Sequence, residues 1–197
     1  MVDRPTAILI GPPGAGKTTI GRRLAKVLRV PFVDVDAEIV RREGREIAEI
    51  FARDGERRFR EIEEQVVADV VASESGIVSL GGGAILSERT RTLLSEYQVV
   101  YLELTVDEGI KRTVGSGRPL LAGDDPAEKY RVLMATRAPI YRDLATIRVS
   151  TVGRAPTSVV RQVQRRLKDT SPARVRHRPW AKLPSVLRNP NKNRPSE

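Results

Sequence analysis

Apolar residues in this chain fall either into short continuous runs or into segments where they return every three or four positions. Thr6–Ile10, Ile77–Leu80, Val99–Leu104 and Ile147–Ser150 are short apolar runs and predict strands buried on both faces. Pro31 breaks the preceding pattern, and Phe32–Asp36 reads as a further short strand with carboxylates at its C-terminal end. Between the strands, Lys17–Leu28 sets Ile20, Leu24, Val27 and Leu28 on one helical face, and Pro156–Leu167 does the same with Val159, Val160, Val163 and Leu167. Helical spacing also marks Ile47–Phe51 and Glu56–Val71 with a break at Gly55, a helix carrying Lys111 and Arg112, and Ala127–Tyr141 with Pro139 near its end. Strands alternating with helices predict a parallel sheet covered on both faces, a three-layer α/β/α domain. No internal repeat or heptad pattern interrupts this reading.

Composition changes the picture only at the C-terminus. A chain of 197 residues with 40% apolar content suits one domain, placed here at residues 1–168. Residues 169–197 read as a tail, where Pro172, Pro179, Pro184, Pro190 and Pro195 interrupt an Arg- and Asn-rich stretch expected to be disordered. The net charge of +10 is uneven: residues 170–197 carry seven Lys/Arg against one acid, leaving a mildly basic body. The tail suits weak electrostatic attachment to an acidic partner or nucleic acid. The absence of cysteine excludes disulfides and thiolate metal sites. Arg4 and Pro5 precede an apolar run too short for a secretory core or a membrane span, so a cytoplasmic protein is expected; no helix shows an uninterrupted exposed apolar stripe, so a monomer is expected.

The strongest chemical signal is Gly11-Pro12-Pro13-Gly14-Ala15-Gly16-Lys17-Thr18, a GxxxxGK[ST] motif between the first strand and the first helix. Such a loop wraps backbone N–H groups around a polyphosphate at a helix N-terminus, while Lys17 reaches the β- and γ-phosphates and Thr18 offers a hydroxyl to Mg²⁺. Other signals leave two readings open. Asp34 and Asp36 lie at the sheet edge where ligands bind in open α/β folds, or they cap the next helix. Glu56, Phe59, Arg60 and Glu63 share one helical face, where Glu63 either holds Arg60 or belongs to an exposed ion-paired surface. Phe51 and Phe59 suit the core as well as a pocket wall. Gly81-Gly82-Gly83 after a strand allows close approach of a ligand or makes a turn, and Ser79 before it could reach Mg²⁺ through water. Residues 115–123, bracketed by glycines around Arg118, have the composition of a lid or of a surface loop.

Taken together, the phosphate loop, Asp34 with Asp36, the run Gly55-Glu56-Arg57-Arg58-Phe59-Arg60-Glu61-Ile62-Glu63, Gly81–Gly83 and Arg118-Pro119-Leu120 resemble shikimate kinase, most closely the actinobacterial type. The resemblance covers residues 6–167. It implies a fold like that of nucleoside monophosphate kinases, with sheet order 2-3-1-4-5, a substrate-binding region at about 34–63 and a lid at about 114–125. It implies ATP-dependent phosphorylation of shikimate in aromatic amino acid biosynthesis, with Mg²⁺ as cofactor and shikimate and ATP as partners; nucleic acid is not required and no membrane is involved. On that reading Asp36 binds the reacting hydroxyl and acts as base, Arg60 and Arg137 clamp the carboxylate, Glu63 steadies Arg60, Gly82 contacts a ring hydroxyl, and Phe51 and Phe59 wall the pocket. Gly14, Ala15, Gly16, Lys17, Thr18 and Thr19 hold ATP, with Arg118 on the transferring phosphate, and Arg112, Arg154 and Pro156 near the adenine. Thr18 binds Mg²⁺, helped through water by Asp34 and Ser79. Ser150 stands where the family has an Asp. Gluconate kinase, a nucleoside monophosphate kinase and a nucleic-acid-binding protein using the tail are the competing readings; the Arg60–Arg137 pair and the glycine triplet speak against gluconate.

Overall fold

The computed structural model describes residues 4–113 and 125–170. Five parallel strands, β1 (Ala7–Ile10), β2 (Phe32–Asp34), β3 (Ile77–Ser79), β4 (Val99–Glu103) and β5 (Ile147–Ser150), form one sheet in the order β2-β3-β1-β4-β5. The helices are α1 (Lys17–Leu28), α2 (Val35–Glu43), α3 (Ile47–Ser73), α4 (Glu88–Leu94), α5 (Val106–Thr113), α6 (Pro126–Leu144) and α7 (Pro156–Asp169). The expected sheet order and three-layer architecture are therefore present.

Strand alternation divides the core in two, because successive side chains point to opposite faces. Ile8, Ile10, Val78, Val99 and Tyr101 pack against α2, α3, α4 and the end of α6. Ala7, Leu9, Ile77, Val100, Leu102, Ile147 and Val149 pack against α1 and α7. Continuous apolar strands are the consequence of having helices on both sides. Val27, assigned to the apolar stripe of α1, is instead half exposed, at 51%. Its turn lies at the outer edge of the stripe, and Leu24 and Ala25 fill the interface.

Three local results settle or extend the sequence reading. First, β2 ends at Asp34, so Asp34 and Asp36 are not neighbours on one strand face. Asp34 is the N-cap of α2 and its Oδ1 accepts the Asp36 N–H at 3.1 Å, which turns the chain into the helix. Second, the region after the glycine triplet forms a short 3₁₀ turn, Ala84–Leu86, and then α4, capped by the Ser87 hydroxyl accepting from Thr90 N. Its seven residues were too few for periodicity to register. Third, Glu63 is buried and Arg60 mostly so, which excludes an exposed ion-paired surface for this pair. The break at Gly55 is present: at φ 80°, ψ 168° it interrupts α3 and separates the turn bearing Phe51 from the helix bearing Arg60. Among the described residues no helix is long and apolar enough to cross a membrane.

Candidate active site

The phosphate loop follows β1 and is shaped by glycines with positive φ. Gly16, at φ 80°, is the N-cap of α1, and Gly11 approaches β4 so closely that a Cβ there would lie 2.7 Å from the Leu102 carbonyl. Lys17 Nζ donates to the Gly11 and Pro12 carbonyls at 2.8 and 3.3 Å, which lays the ammonium across the mouth of the loop. No acid occupies the first turn of α1, so its N-terminus remains positive.

Sheet register places the hard oxygen donors. Asp34 pairs with Ser79 across β2 and β3, and both lie on the strand face that α1 covers. The Thr18 hydroxyl at the start of α1 donates to Asp34 Oδ2 at 2.6 Å. Among the described residues no cluster of three His, Cys, Asp or Glu could enclose a metal ion. A hydroxyl and a carboxylate beside a phosphate cradle fit Mg²⁺, which keeps much of its water and takes further oxygens from substrate phosphates.

Across the sheet edge, Gly81–Gly83 forms a floor on which charged side chains rest. A Cβ at Gly81 would lie 2.6 Å from both Asp36 Oδ1 and Glu63 Oε1, and one at Gly83 would collide with the Arg60 guanidinium. Arg60 is held from its own helix: Glu63 accepts from Nη1 at 2.6 Å and Glu56 from Nη2 at 3.3 Å. Its Nε is buried without a hydrogen-bond partner. The Phe59 and Phe51 rings flank it at 5.2 and 6.0 Å and pack against each other at 4.6 Å. Burial pushes the Glu63 carboxyl up against the opposing pull of Arg60, with Asp36 adding to the rise. Arg137 comes from α6, buried, near enough to Arg60 to feel its charge, and burial pulls its guanidinium down. Two guanidiniums held largely out of water within reach of each other's charge suit an anion, since a carboxylate near both would relieve repulsion and desolvation.

Residues on α6 that the sequence reading assigned no role brace this site. Tyr141 donates to the Gly82 carbonyl at 2.5 Å and Tyr130 to the Pro13 carbonyl at 3.0 Å, so one helix ties the glycine floor to the phosphate loop. Tyr130, Met134, Arg137 and Tyr141 are spaced i, i+4, i+7, i+11, a single helical face, and that spacing was the signal available in the sequence. Arg91 is likewise buried, donating to the Ile85 and Leu86 carbonyls at 2.9 and 2.8 Å and holding the turn after the triplet.

On the other side of the loop, Arg112 is positioned by Glu108 at 2.9 Å and reaches the Gly14 carbonyl at 3.3 Å and the Thr151 carbonyl at 3.4 Å. It therefore links the phosphate loop to the turn after β5. Ser150 Oγ accepts from Val152 N at 3.3 Å, the turn-capping bond that an Asp would make there. Arg154 and Pro156 lie exposed nearby, with Arg154 hydrogen-bonded to Gln162 rather than to Arg112's partners. Thr19, the remaining nucleotide-side candidate, is exposed in the first turn of α1. Arg118 and the lid segment lie outside the described residues, as do residues 171–197.

Comparison with known proteins agrees with this geometry. The family model described as shikimate kinase matches residues 13–168. A shikimate kinase of Rhodococcus erythropolis is 60% identical over 167 residues, which cover 84% of this chain and 99% of that protein. One from Mycobacterium avium is 57% identical over 172 residues, covering 87% of this chain and 98% of the relative. Among solved structures, the shikimate kinase from Acinetobacter baumannii in complex with shikimate superposes with a TM-score of 0.81 at 35% identity, covering 85% of this chain and 95% of the other. A phosphate loop, an acidic pair and converging arginines on a 2-3-1-4-5 sheet, matched over nearly the full length of these relatives, mean that the chain belongs to the shikimate kinase family.

Proposed function

We infer that the chain transfers the γ-phosphoryl group of ATP to the 3-hydroxyl of shikimate, as its family membership implies. The observation that carries the substrate reading is the mostly buried Arg60 guanidinium over Gly83, with buried Arg137 close enough to feel its charge. The two planar forks would take the shikimate carboxylate, which a lysine could match in charge but not in geometry. Glu63 would keep Arg60 aimed, the Gly82 backbone would meet a ring hydroxyl, and the Phe51–Phe59 pair would exclude water from one wall.

Asp36, held over Gly81, would accept the proton of the 3-hydroxyl as its oxygen attacks the γ-phosphorus and the bond to ADP breaks. Phosphoryl transfer requires alignment and charge neutralisation rather than covalent help from the protein. Lys17 would leave the Gly11 and Pro12 carbonyls for the phosphates, and Arg118 would reach them from the lid. Thr18 would hold Mg²⁺, with Asp34 and Ser79 acting through water, and the bound ion would supply positive charge to offset that of the phosphates. Arg112, with Arg154 and Pro156, would border the adenine. In this chain Arg112 is already fixed by Glu108 and Thr151, and Ser150 keeps the turn beside it.

The test is ADP release with MgATP and shikimate, gluconate or AMP as acceptor, with the product weighed by mass spectrometry. Shikimate-dependent turnover to a product heavier by one phosphate is expected. Turnover with AMP or gluconate and none with shikimate would overturn the carboxylate clamp while leaving the phosphate loop in place.

A further inference from the structure

The α1–α7 layer has a chemistry that phosphoryl transfer does not use. Lys17–Arg29 and Pro156–Asp169 together hold nine Lys and Arg against one acid, Asp169. The rest of residues 1–169 holds nineteen against twenty-three. The mildly basic body is thus an acidic body with one strongly basic face.

On α1, Arg22, Lys26 and Arg29 are spaced i, i+4, i+7, and on α7 Arg161, Arg165 and Lys168 repeat the same spacing, so each helix carries one stripe. Arg23 and Arg166 flank the stripes. All eight are exposed, and among the described residues none forms an ion pair. The two helices pack directly against each other, which fixes the stripes as one surface. Keeping so many cations close together without counter-charge opposes folding through self-repulsion, so a bound polyanion would relieve a cost already present.

We propose that this face is a second, non-catalytic binding surface for the phosphodiester backbone of nucleic acid. Several observations favour that partner. The apolar residues of both helices are mostly buried against the sheet, with Val27 the exposed large apolar side chain of α1, so the face lacks the apolar surface with which an interfacial helix enters a membrane. It likewise lacks the apolar centre of a protein–protein interface. Six of the eight cations are arginines, which fork onto phosphate oxygens. A helix the length of α7 spans about 21 Å, along which a duplex presents about 12 phosphates.

The test uses the full-length protein and a fluorescein-labelled DNA duplex of about 20 base pairs, followed by anisotropy across a salt series. Binding is expected at low salt, with log K falling linearly in log salt. Two triple variants, Arg22→Gln/Lys26→Gln/Arg29→Gln and Arg161→Gln/Arg165→Gln/Lys168→Gln, are each expected to weaken binding at least tenfold and to flatten the slope by about 0.9 for each phosphate that is no longer neutralised. The matching Arg→Lys variants should retain most of the binding, and shikimate-dependent turnover in all of them reports that they are folded. Absence of binding by the parent protein at low salt overturns the proposal. So does binding that the triple variants leave unchanged but removal of residues 171–197 abolishes, which assigns it to the tail. Tighter association with phosphatidylserine vesicles than with the duplex would reassign the face to a membrane. A loss of kcat/KM for shikimate or ATP in the triple variants, without loss of DNA binding, would make it a steering field for the substrates instead.

Discussion

The two helical layers that cover the sheet treat charge in opposite ways. Around α2 and α3, arginines end on carboxylates: Glu38 accepts from both Arg41 and Arg42, Arg42 continues to Asp69, Arg45 reaches Asp54 and Arg60 reaches Glu63. On the outer stripes of α1 and α7, Arg22, Arg23, Lys26, Arg29, Arg161, Arg165, Arg166 and Lys168 face water and, among the described residues, form no ion pair. The first layer contains the proposed acceptor site, and its pairs fix side chains in place. The second layer meets the phosphate loop at the N-terminus of α1, and its outer face points away from that loop. Between these two layers, the ion pairs fix side chains of α2 and α3, whereas the stripes of α1 and α7 contribute a field.

The largest expected effect tests the first layer at its centre. Asp36→Asn should lower kcat by about 10²- to 10⁴-fold, the range for loss of a positioned base, with ATP affinity nearly unchanged. Equal losses in both, measured by steady-state kinetics and nucleotide titration, would remove Asp36 from the acceptor side. Next comes Gly83→Ala. The backbone at φ −98°, ψ −12° accepts any residue, but a Cβ would displace the Arg60 guanidinium. A rise in shikimate KM of about tenfold or more is expected, equal to loss of one charge-assisted hydrogen bond, with little change in melting temperature. An unchanged KM would mean that Arg60 has room to move.

A smaller effect concerns acid stability. Hydrogen bonds from Arg41, then Arg42, hold the Glu38 carboxyl down at about 2 from its ordinary 4.5. A lowered pKa in the folded state means that Glu38 contributes stability above its ordinary value and loses it as pH falls from 4.5 through about 2. Glu38→Gln should therefore lower the melting temperature at neutral pH and narrow its gap to the parent protein across that window; a gap constant with pH would show the pairs to be inert. The smallest effect belongs to the other layer. Arg165→Gln should change stability by no more than about 0.5 kcal/mol, toward greater stability at low salt, since it removes repulsion and no partner. A clear destabilisation in thermal melts would reveal a hidden counter-charge and blur the contrast between layers.

How much was legible in the sequence varied with the range of the interaction. The phosphate loop, the five strands and the break at Gly55 were all readable, because glycine conformations and apolar periodicity are local. Asp34 was harder, since its carboxylate both caps α2 and accepts the Thr18 hydroxyl, and the second contact depends on β2 lying beside β3 and under α1. Glu63 and Arg60 were visible as a pair through their spacing, but burial decided against an exposed surface.

By itself the sequence determined the elements, their alternation and the identity of the phosphate-binding turn, for these rest on φ preferences and on which side chains avoid water. Only the tertiary structure decided that Tyr130 would brace a loop 117 residues away and that Tyr141 would hold the Gly82 carbonyl. It also decided that a net charge spread along the chain would be sorted into one paired layer and one unpaired one. Pairing depends on which helices share a face of the sheet, and strand order sets that, through contacts between residues far apart in sequence.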